Sequence, residues 1–288
     1  MIEGQPSDTA LQVAASRAAH LRYDPPPHLL EDRQAEALLG PERASLIDGS
    51  SNEAPWILIE NRLFIPLRAR YAEDRLREAF DRGVRQLVVL GAGLDSFVWR
   101  QPAELAGLRT FEVDHPSTQA WKRARIQALG WTLPSTARLV PCDFEAQSVS
   151  DALAASDFDP ERPALVSWMG VTYYLERATT ESALRELCGL LAAGSEVVFD
   201  VMRPWDELPE RYAEVRARML EYLKGAGEPQ VNRYRADEIL DAIREAGFDE
   251  AHVESRTSLE ARYLAPLETD IPLSERFHLV VARKHRRA

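Results

Sequence analysis

This 288-residue sequence has few cysteines, and it shows neither long apolar runs nor an N-terminal leader pattern. Its two cysteines, Cys142 and Cys188, are too few for a disulfide framework, and no apolar run approaches the roughly 18 residues that span a bilayer. Residues 1–6 carry neither basic side chains nor an apolar stretch, so the sequence predicts no signal peptide. We therefore expect a cytoplasmic protein without a membrane partner.

Basic residues are in deficit, with 35 lysines and arginines against 46 aspartates and glutamates, for a formal net charge of -11. Affinity for nucleic acids depends on lysine and arginine contacts to phosphates, so this charge argues against a nucleic-acid partner. The length fits one α/β domain with a helical extension around one large core.

Several motifs of catalysis are also absent. The two cysteines and six histidines show no metal-ligand spacing, so no metal is predicted. Neither a Gly-x-x-x-x-Gly-Lys-Ser/Thr loop nor a Gly-x-Ser-x-Gly element occurs in the sequence. Their absence excludes the nucleotide hydrolysis and serine esterase chemistry that depend on them.

A glycine turn that follows an apolar run is the most informative feature that is present. Residues 86–90, Gln-Leu-Val-Val-Leu, predict a buried parallel strand, and Gly91, Ala92, Gly93 and Asp95 follow it. Glycine tolerates positive φ, so we expect this loop to expose its N–H groups at the start of the next helix, where the helix dipole is positive. The pattern predicts a site for a nucleotide-like ligand.

A second predicted strand, Arg109 to Val113, is followed by Asp114, a position from which a carboxylate can bind the two hydroxyls of a ribose. The third glycine of the dinucleotide fingerprint is missing, because Ser96 occupies its position. S-adenosylmethionine has a ribose and an adenine but no phosphate, so this site suits it better than NAD. A nicotinamide-dependent oxidoreductase remains an alternative.

Strand and helix patterns alternate along the rest of the chain, which predicts a doubly wound, parallel α/β sheet. Residues 1–82 read as an N-terminal helical cap, residues 83–288 as the α/β core, and residues 203–228 as a helical insertion in that core. We predict one helix between Leu29 and Leu39, and another from Trp56 to Phe80 that Pro66 kinks or divides. The remaining predicted strands are Arg138 to Val140, Ala164 to Trp168, Glu196 to Val201, Phe248 to Ser255 and Arg276 to Arg283.

Three segments resemble motifs of the leucine carboxyl methyltransferase family. They are Asn61 to Arg70, Leu90 to Ser96, and Phe111 to Pro116 with Lys122. The resemblance extends to Pro141 to Phe144 and to Ser167 to Leu175, which is similar to the bacterial branch of polyketide carboxyl O-methyltransferases of the tetracenomycin type. It implies a class I S-adenosylmethionine (Rossmann-like) fold with a seven-stranded, mainly parallel sheet and a helical cap. It also implies methyl transfer to a carboxylate oxygen, in secondary metabolism.

The resemblance also implies roles for individual residues. Arg70 resembles the arginine that pairs with the methionyl carboxylate of the cofactor, although spacing does not separate it from Arg68, and a solvated helix arginine is the alternative. Asp143 and Phe144 would bind the adenine, unless Asp143 caps its loop and Phe144 only packs in the core. Met169 stands before Gly170 where many members of the family have a glutamate, so Met169 contacts the cofactor or fills core volume. These positions are read from the sequence alone.

The acceptor side is less well defined by the sequence. Tyr173 and Tyr174 follow the fourth strand at the carboxyl end of the sheet, and His20 lies in the predicted cap, so we expect one or more of them in the acceptor pocket. A carboxylate acceptor is ionised at neutral pH and needs no general base, whereas a phenol would benefit from one. The sequence predicts a small-molecule carboxylic acid or phenol, or a peptide terminus, as the acceptor. A module that binds the cofactor without turnover remains an alternative.

Overall fold

A single seven-stranded sheet organises the described part of the chain, residues 7–144, 146–217 and 230–285 of a computed structural model. The strands are β1 (Gln86–Leu90), β2 (Arg109–Asp114), β3 (Ala137–Pro141), β4 (Ala164–Trp168), β5 (Glu196–Met202), β6 (Glu250–Val253) and β7 (Phe277–Arg283). Their order is β3-β2-β1-β4-β5-β7-β6, and β7 runs antiparallel to both of its neighbours. This topology confirms the predicted class I fold.

Ten α-helices with defined bounds surround the sheet in the described residues. They are α1 (Asp8–Tyr23), α2 (Gln34–Leu39), α3 (Ala44–Asp48), α4 (Trp56–Asp81), α5 (Phe97–Arg100), α6 (Pro116–Ala128), α7 (Val149–Ala154), α8 (Arg177–Leu190), α9 (Ala236–Glu245) and α10 (Arg256–Leu259). None of the described helices is long and apolar enough to cross a membrane.

The longest helix, α4, is continuous over 26 residues. Of the two effects predicted for Pro66, division of the helix is therefore wrong, and a kink stays a prediction. Pro66 removes one backbone donor, but the buried face of α4 continues on both sides of it through Leu63, Leu67 and Tyr71. These side chains belong to the apolar cluster between α4 and one face of the sheet. Packing along the whole length of the helix outweighs the local cost of the proline.

The helix predicted from Leu29 begins only at Gln34. Leu29 and Leu30 are buried in an irregular segment, and the Asp32 carboxylate accepts the N–H of Ala35 at 3.1 Å in the first turn of α2. The Asp32 carboxylate therefore binds the first turn of α2, and the residues before it, including Leu29 and Leu30, are buried without being helical.

The predicted insertion, residues 203–228, is described only as far as residue 217. Its described part consists of two short 3-10 turns, Trp205–Glu207 and Glu210–Tyr212, followed by a helical stretch at residues 213–217. The prediction for residues 218–228 lies outside the described residues.

The N-terminal helices pack over one end of the sheet. Small side chains of α1, among them Ala14, Ala15 and Ala18, are fully or almost fully buried, and α1 packs against α2, α3 and α4. Leu94 of the glycine turn belongs to the same apolar cluster. The cap is thus joined directly to the loop that the sequence identifies as the ligand site.

Candidate cofactor site

The glycine turn lies at the carboxyl end of β1, between β2 and β4. Ligands of open α/β sheets bind at this edge. Gly91 has φ of +65°, and a Cβ atom built there would overlap the side chain of Val171. Both the backbone conformation and the close approach of the loop after β4 therefore require glycine at position 91.

The backbone N–H groups of the turn are not exposed, which corrects the sequence prediction. Gly91 and Ala92 donate to the carbonyl oxygen of Val113 at 2.9 and 3.2 Å, and Gly93 donates to the Asp114 carboxylate at 2.6 Å. The turn therefore uses these donors to bind the end of β2. Of the predicted residues in the turn, Asp95 accepts the N–H of Phe97, the first residue of the four-residue helix α5, at 2.7 Å.

Asp114 is held in one orientation at the end of β2. One carboxylate oxygen accepts from Gly93 and the other accepts the N–H of His115 at 2.7 Å. Burial raises the pKa of Asp114, although these two backbone donors favour the ionised form. Each carboxylate oxygen can accept more than one hydrogen bond, so Asp114 retains capacity for the hydroxyls of a ribose.

Asp143 and Phe144 follow β3 at the same edge of the sheet. The Asp143 side chain is 42% exposed, and one of its oxygens lies 3.9 Å from Nε2 of His115. Phe144 packs on the apolar cluster that includes Leu90 and Trp168, and these three side chains line a cavity of about 300 Å³. The rest of the lining is mixed and includes Gln147, Ser148 and Glu186. An aromatic ring beside a partly exposed carboxylate suits a flat base that carries an amine.

A second cavity, of about 90 Å³, lies between α4 and the turn, on the other side of Gly91. Its lining includes Arg68, Asp95 and Met169. Met169 is partly buried against the apolar cluster on that face of the sheet, so it both fills core volume and faces the cavity. The two cavities flank the glycine turn.

The arginine that reaches the site is Arg68, and the structure does not support the prediction of Arg70. The Arg68 side chain is 6% exposed and lines the smaller cavity, whereas the Arg70 side chain is 43% exposed and pairs with Asp74 at 2.9 Å. Residues two positions apart on a helix point about 200° apart, so only one of the two arginines can face the sheet.

Arg68 binds Asp200, a residue that the sequence reading missed. Its Nη1 atom donates to Asp200 at 2.9 Å, and the other oxygen of Asp200 accepts the N–H of Gly170 at 2.6 Å. Asp200 lies on β5, is fully buried, and provides a carboxylate beside Met169, where the family glutamate is missing. The sequence does carry a signal for Asp200: it is a single carboxylate among the apolar residues 197–202 of β5, and a buried charge is rare unless it is paired.

Tyr173 belongs to the same cluster. Its hydroxyl accepts from Nη1 of Arg68 at 2.9 Å, and its ring lies 4.8 Å from that of the half-buried Tyr174. Burial raises the pKa of Tyr173, so its hydroxyl stays protonated at neutral pH. Burial alone would lower the pKa of Arg68, but Tyr173 and Asp200 outweigh it and raise the pKa above its usual value.

Ser96 joins the turn to the cap. Its hydroxyl donates to Asp32 at 2.6 Å and accepts from Arg100 at 2.9 Å, while Arg17 of α1 binds both Asp32 and the carbonyl oxygen of Leu94 at 2.7 Å. Burial raises the pKa of Asp32, but Arg17 and Arg100 outweigh burial and hold it below its usual value. The residue that replaces the third glycine therefore positions the turn through the cap.

His20 is occupied by structural contacts, so the structure does not support its prediction as an acceptor-pocket residue. The side chain is 2% exposed, Nδ1 lies 2.8 Å from Asp24, and Nε2 accepts the N–H of Leu29 at 3.0 Å. His115 is used similarly, because its Nδ1 accepts the N–H of Ser117 and caps α6.

Comparison with known proteins identifies the family of the chain. The leucine carboxyl methyltransferase family model matches residues 10–188, more than half of the chain. A Bacillus subtilis protein named "Putative S-adenosyl-L-methionine-dependent methyltransferase YktD" is 29% identical over 271 residues, 86% of this chain and 88% of the relative. A Mycobacterium avium protein with the same methyltransferase description is 30% identical over 245 residues, 80% of this chain and 76% of the relative.

Solved structures share the fold at low sequence identity. A DUF574 family protein from Streptomyces avermitilis has a TM-score of 0.60 at 15% identity, covering 97% of this chain and 98% of that one. The S-adenosylmethionine-dependent methyltransferase SibL has a TM-score of 0.51 at 15% identity, covering 96% of this chain and 70% of that one.

The sheet topology and the matched relatives define an S-adenosylmethionine-dependent methyltransferase of class I. The chain belongs to the leucine carboxyl methyltransferase family. Its cofactor is S-adenosylmethionine, and the residues present fit that molecule: a carboxylate at the end of β2, a cavity with the aromatic ring of Phe144 in its wall, and a buried arginine beside a second cavity.

Proposed function

We propose that this protein is an O-methyltransferase that esterifies a carboxylate, carried by a small molecule or a peptide terminus. The observation that carries this proposal is the state of Tyr173, His20 and His115, three side chains that could otherwise be candidates for a base. Tyr173 is a buried, protonated phenol bound to Arg68, and the two histidines hold backbone N–H groups. A carboxylate needs no base, so it matches this site better than a phenol does.

The cofactor would be held by groups on both sides of the glycine turn. Arg68 replaces Arg70 as the residue that we assign to the methionyl carboxylate, because a planar guanidinium can bind both oxygens of a carboxylate and Arg68 lines the smaller cavity. We assign the ribose hydroxyls to Asp114, and the adenine to Asp143 and Phe144. Other cofactor contacts are assigned to Gly91, Ala92, Gly93, Asp95, Met169 and Gly170.

When bound, S-adenosylmethionine would supply a methyl group on a sulfonium; transfer would form an O–C bond to the acceptor and break the C–S bond, whose electron pair would remain on sulfur as a neutral thioether. No proton moves in this displacement. The protein's contribution is therefore alignment and the exclusion of water. Tyr173 and Tyr174 lie at the edge where the acceptor would approach, and we assign them to its pocket.

Chemical lability of the product tests the proposal directly. The protein would be incubated with S-adenosylmethionine labelled with tritium in the methyl group and a panel of aromatic and polyketide-like carboxylic acids, with the matching amides and phenols as controls. We expect label transfer to an acid, and release of that label as volatile methanol in mild base, because methyl esters hydrolyse and methyl ethers do not. Transfer only to phenols, as base-stable label, would make the protein a phenolic methyltransferase. Cofactor binding without any transfer would favour the non-catalytic module.

Two further predictions from the sequence stay predictions. A cytoplasmic location and a role in the synthesis of a polyketide-like natural product are consistent with the proposal. Fractionation of the native host and the metabolite profile of a deletion strain would test them.

A further inference from the structure

Charged side chains of both signs line the smaller cavity, which lies between α4 and the glycine turn. Its lining includes Arg17 and Arg68 as positive groups, and Glu73 and Asp95 as negative ones. The methionyl end of S-adenosylmethionine is a zwitterion, in which one carbon atom carries both a carboxylate and an ammonium group. Because Arg68 is assigned to the carboxylate, we expect the partner of the ammonium group in the same cavity.

Three of these four charged side chains have an ion-pair partner within the protein. The pairs are Arg17–Asp32 at 2.7 Å, Arg68–Asp200 at 2.9 Å and Glu73–Arg100 at 2.6 Å. Asp95 forms no ion pair in the part of the chain that the structure describes. Of the two carboxylates in the cavity wall, Asp95 is therefore the one that remains for a cation from outside the protein.

The Asp95 carboxylate is held in place by one of its two oxygens. Oδ1 accepts the N–H of Phe97 at 2.7 Å, and among the described residues Oδ2 accepts no hydrogen bond. The residue is only partly buried, and it lines the cavity. An ionised carboxylate accepts at both oxygens, and a hydrogen bond from an ammonium group is among the stronger ones that it can form.

Arg100 does not neutralise Asp95, because it already serves two other carboxylates. It binds Glu73 at 2.6 Å and approaches Asp32 at 3.6 Å. Burial raises the pKa of Glu73, Arg100 opposes that rise, and the negative charge of Asp95 adds to it. An ammonium group bound at Asp95 would reduce this repulsion between the two carboxylates.

We infer that Asp95 binds the methionyl ammonium group of S-adenosylmethionine through Oδ2, the oxygen that does not bind Phe97. The inference rests on the cofactor placement proposed above, in which Arg68 binds the methionyl carboxylate, and it does not depend on the acceptor. A contact to Arg68 alone would leave the methionyl group free to rotate about that contact. A second contact of opposite charge fixes its rotation as well as its position, which aligns the methyl donor.

The test is calorimetric titration of the full chain with S-adenosylhomocysteine and with its deamino analogue, in which a hydrogen atom replaces the amino group. The wild type should bind S-adenosylhomocysteine more tightly, by on the order of tenfold to a hundredfold for a charged hydrogen bond. Asp95→Asn should lose that preference while its affinity for the deamino analogue stays within twofold of the wild type's. Asparagine keeps an acceptor oxygen for Phe97, so the variant should unfold at the same urea concentration as the wild type.

The matched control is Asp159→Asn, because Asp159 also accepts a backbone N–H two residues along the chain, from Glu161 at 3.0 Å, but does not line the cavity. It should keep the wild-type affinity for both ligands. Equal binding of the two ligands to the wild type would overturn the inference. A preference that survives in Asp95→Asn would also overturn it, because another group would then hold the ammonium.

A third ligand, decarboxylated S-adenosylhomocysteine, reports separately on the methionyl carboxylate. If the wild type binds it as tightly as S-adenosylhomocysteine while the amino preference depends on Asp95, the assignment of Arg68 fails and that of Asp95 stands. The titrations involve no acceptor, so failure to methylate any carboxylic acid would refute the proposed function and leave the contact at Asp95 intact.

Discussion

Replacement of Asp200 by asparagine should destabilise the protein strongly. Asp200 is fully buried and uses both oxygens, one for Arg68 at 2.9 Å and one for Gly170 at 2.6 Å. An amide of the same shape has only one acceptor oxygen, so its NH₂ group must face one of these two donors. Breaking a buried ion pair in this way costs about 3–5 kcal/mol, because the remaining charge stays buried without compensation.

The matched control is Asp157→Asn. Asp157 also pairs with arginine, binding Arg138 at 2.8 Å, but its side chain is 44% exposed. A pair this exposed contributes about 1 kcal/mol or less. Urea unfolding followed by circular dichroism would measure both variants, with equal m-values as the condition for comparison. A loss of about 3 kcal/mol should also lower Tm by roughly 6 °C or more. If Asp200→Asn is no less stable than Asp157→Asn, the buried pair does not hold β5 to α4 as we describe.

Three further predictions concern the arginine, the cap and the loop after β4. Arg68→Gln should weaken S-adenosylmethionine binding at least tenfold in calorimetry, whereas Arg70→Gln, two residues along the same helix, should leave it unchanged; the reverse result would restore Arg70. The pKa of Asp32 in the folded protein lies below its usual value of 3.8, so the ionised carboxylate stabilises the fold above that pH, and this contribution is lost as the pH falls through the folded-state pKa. The urea midpoint of Asp32→Asn should therefore depend less on pH below 4 than that of the wild type. Parallel curves for the two proteins would contradict this. Gly170→Ala should cost about 1–3 kcal/mol, because φ is +81° there and the new Cβ would lie 2.6 Å from Nη2 of Arg68; an unchanged urea midpoint would contradict it.

The sheet was predictable because buried parallel strands are short, continuous apolar runs. β1 and β4 have the predicted bounds, Gln86–Leu90 and Ala164–Trp168. The long helix α4 was harder, since Pro66 is a local breaker and the packing that overrides it comes from strands far away in sequence. Local propensity could not report that packing.

The candidate site was predictable only where its parts are local. The glycine turn and Asp114 come from one strand-turn-strand pattern, and they bind each other in the structure. The pair of Arg68 and Asp200 joins residues 132 positions apart, and Ser96 binds Asp32 across 64 positions. Helical spacing alone did not distinguish the two faces of α4, so only the three-dimensional contacts separate Arg68 from its exposed neighbour.

The most direct test of the account is calorimetric titration of wild type and Asp114→Asn with S-adenosylmethionine, S-adenosylhomocysteine and NAD. Asparagine keeps the shape of Asp114 but replaces one of its two acceptor oxygens with an NH₂ group, so it loses the charge offered to the ribose hydroxyls and one of the hydrogen bonds from Gly93 and His115. Circular dichroism and urea unfolding would first show that this variant is folded under the conditions of the titration. We predict that the wild type binds the first two ligands and not NAD, and that Asp114→Asn binds them at least tenfold more weakly. Unchanged affinity in Asp114→Asn, or binding of NAD alone, would contradict the assignment of the site.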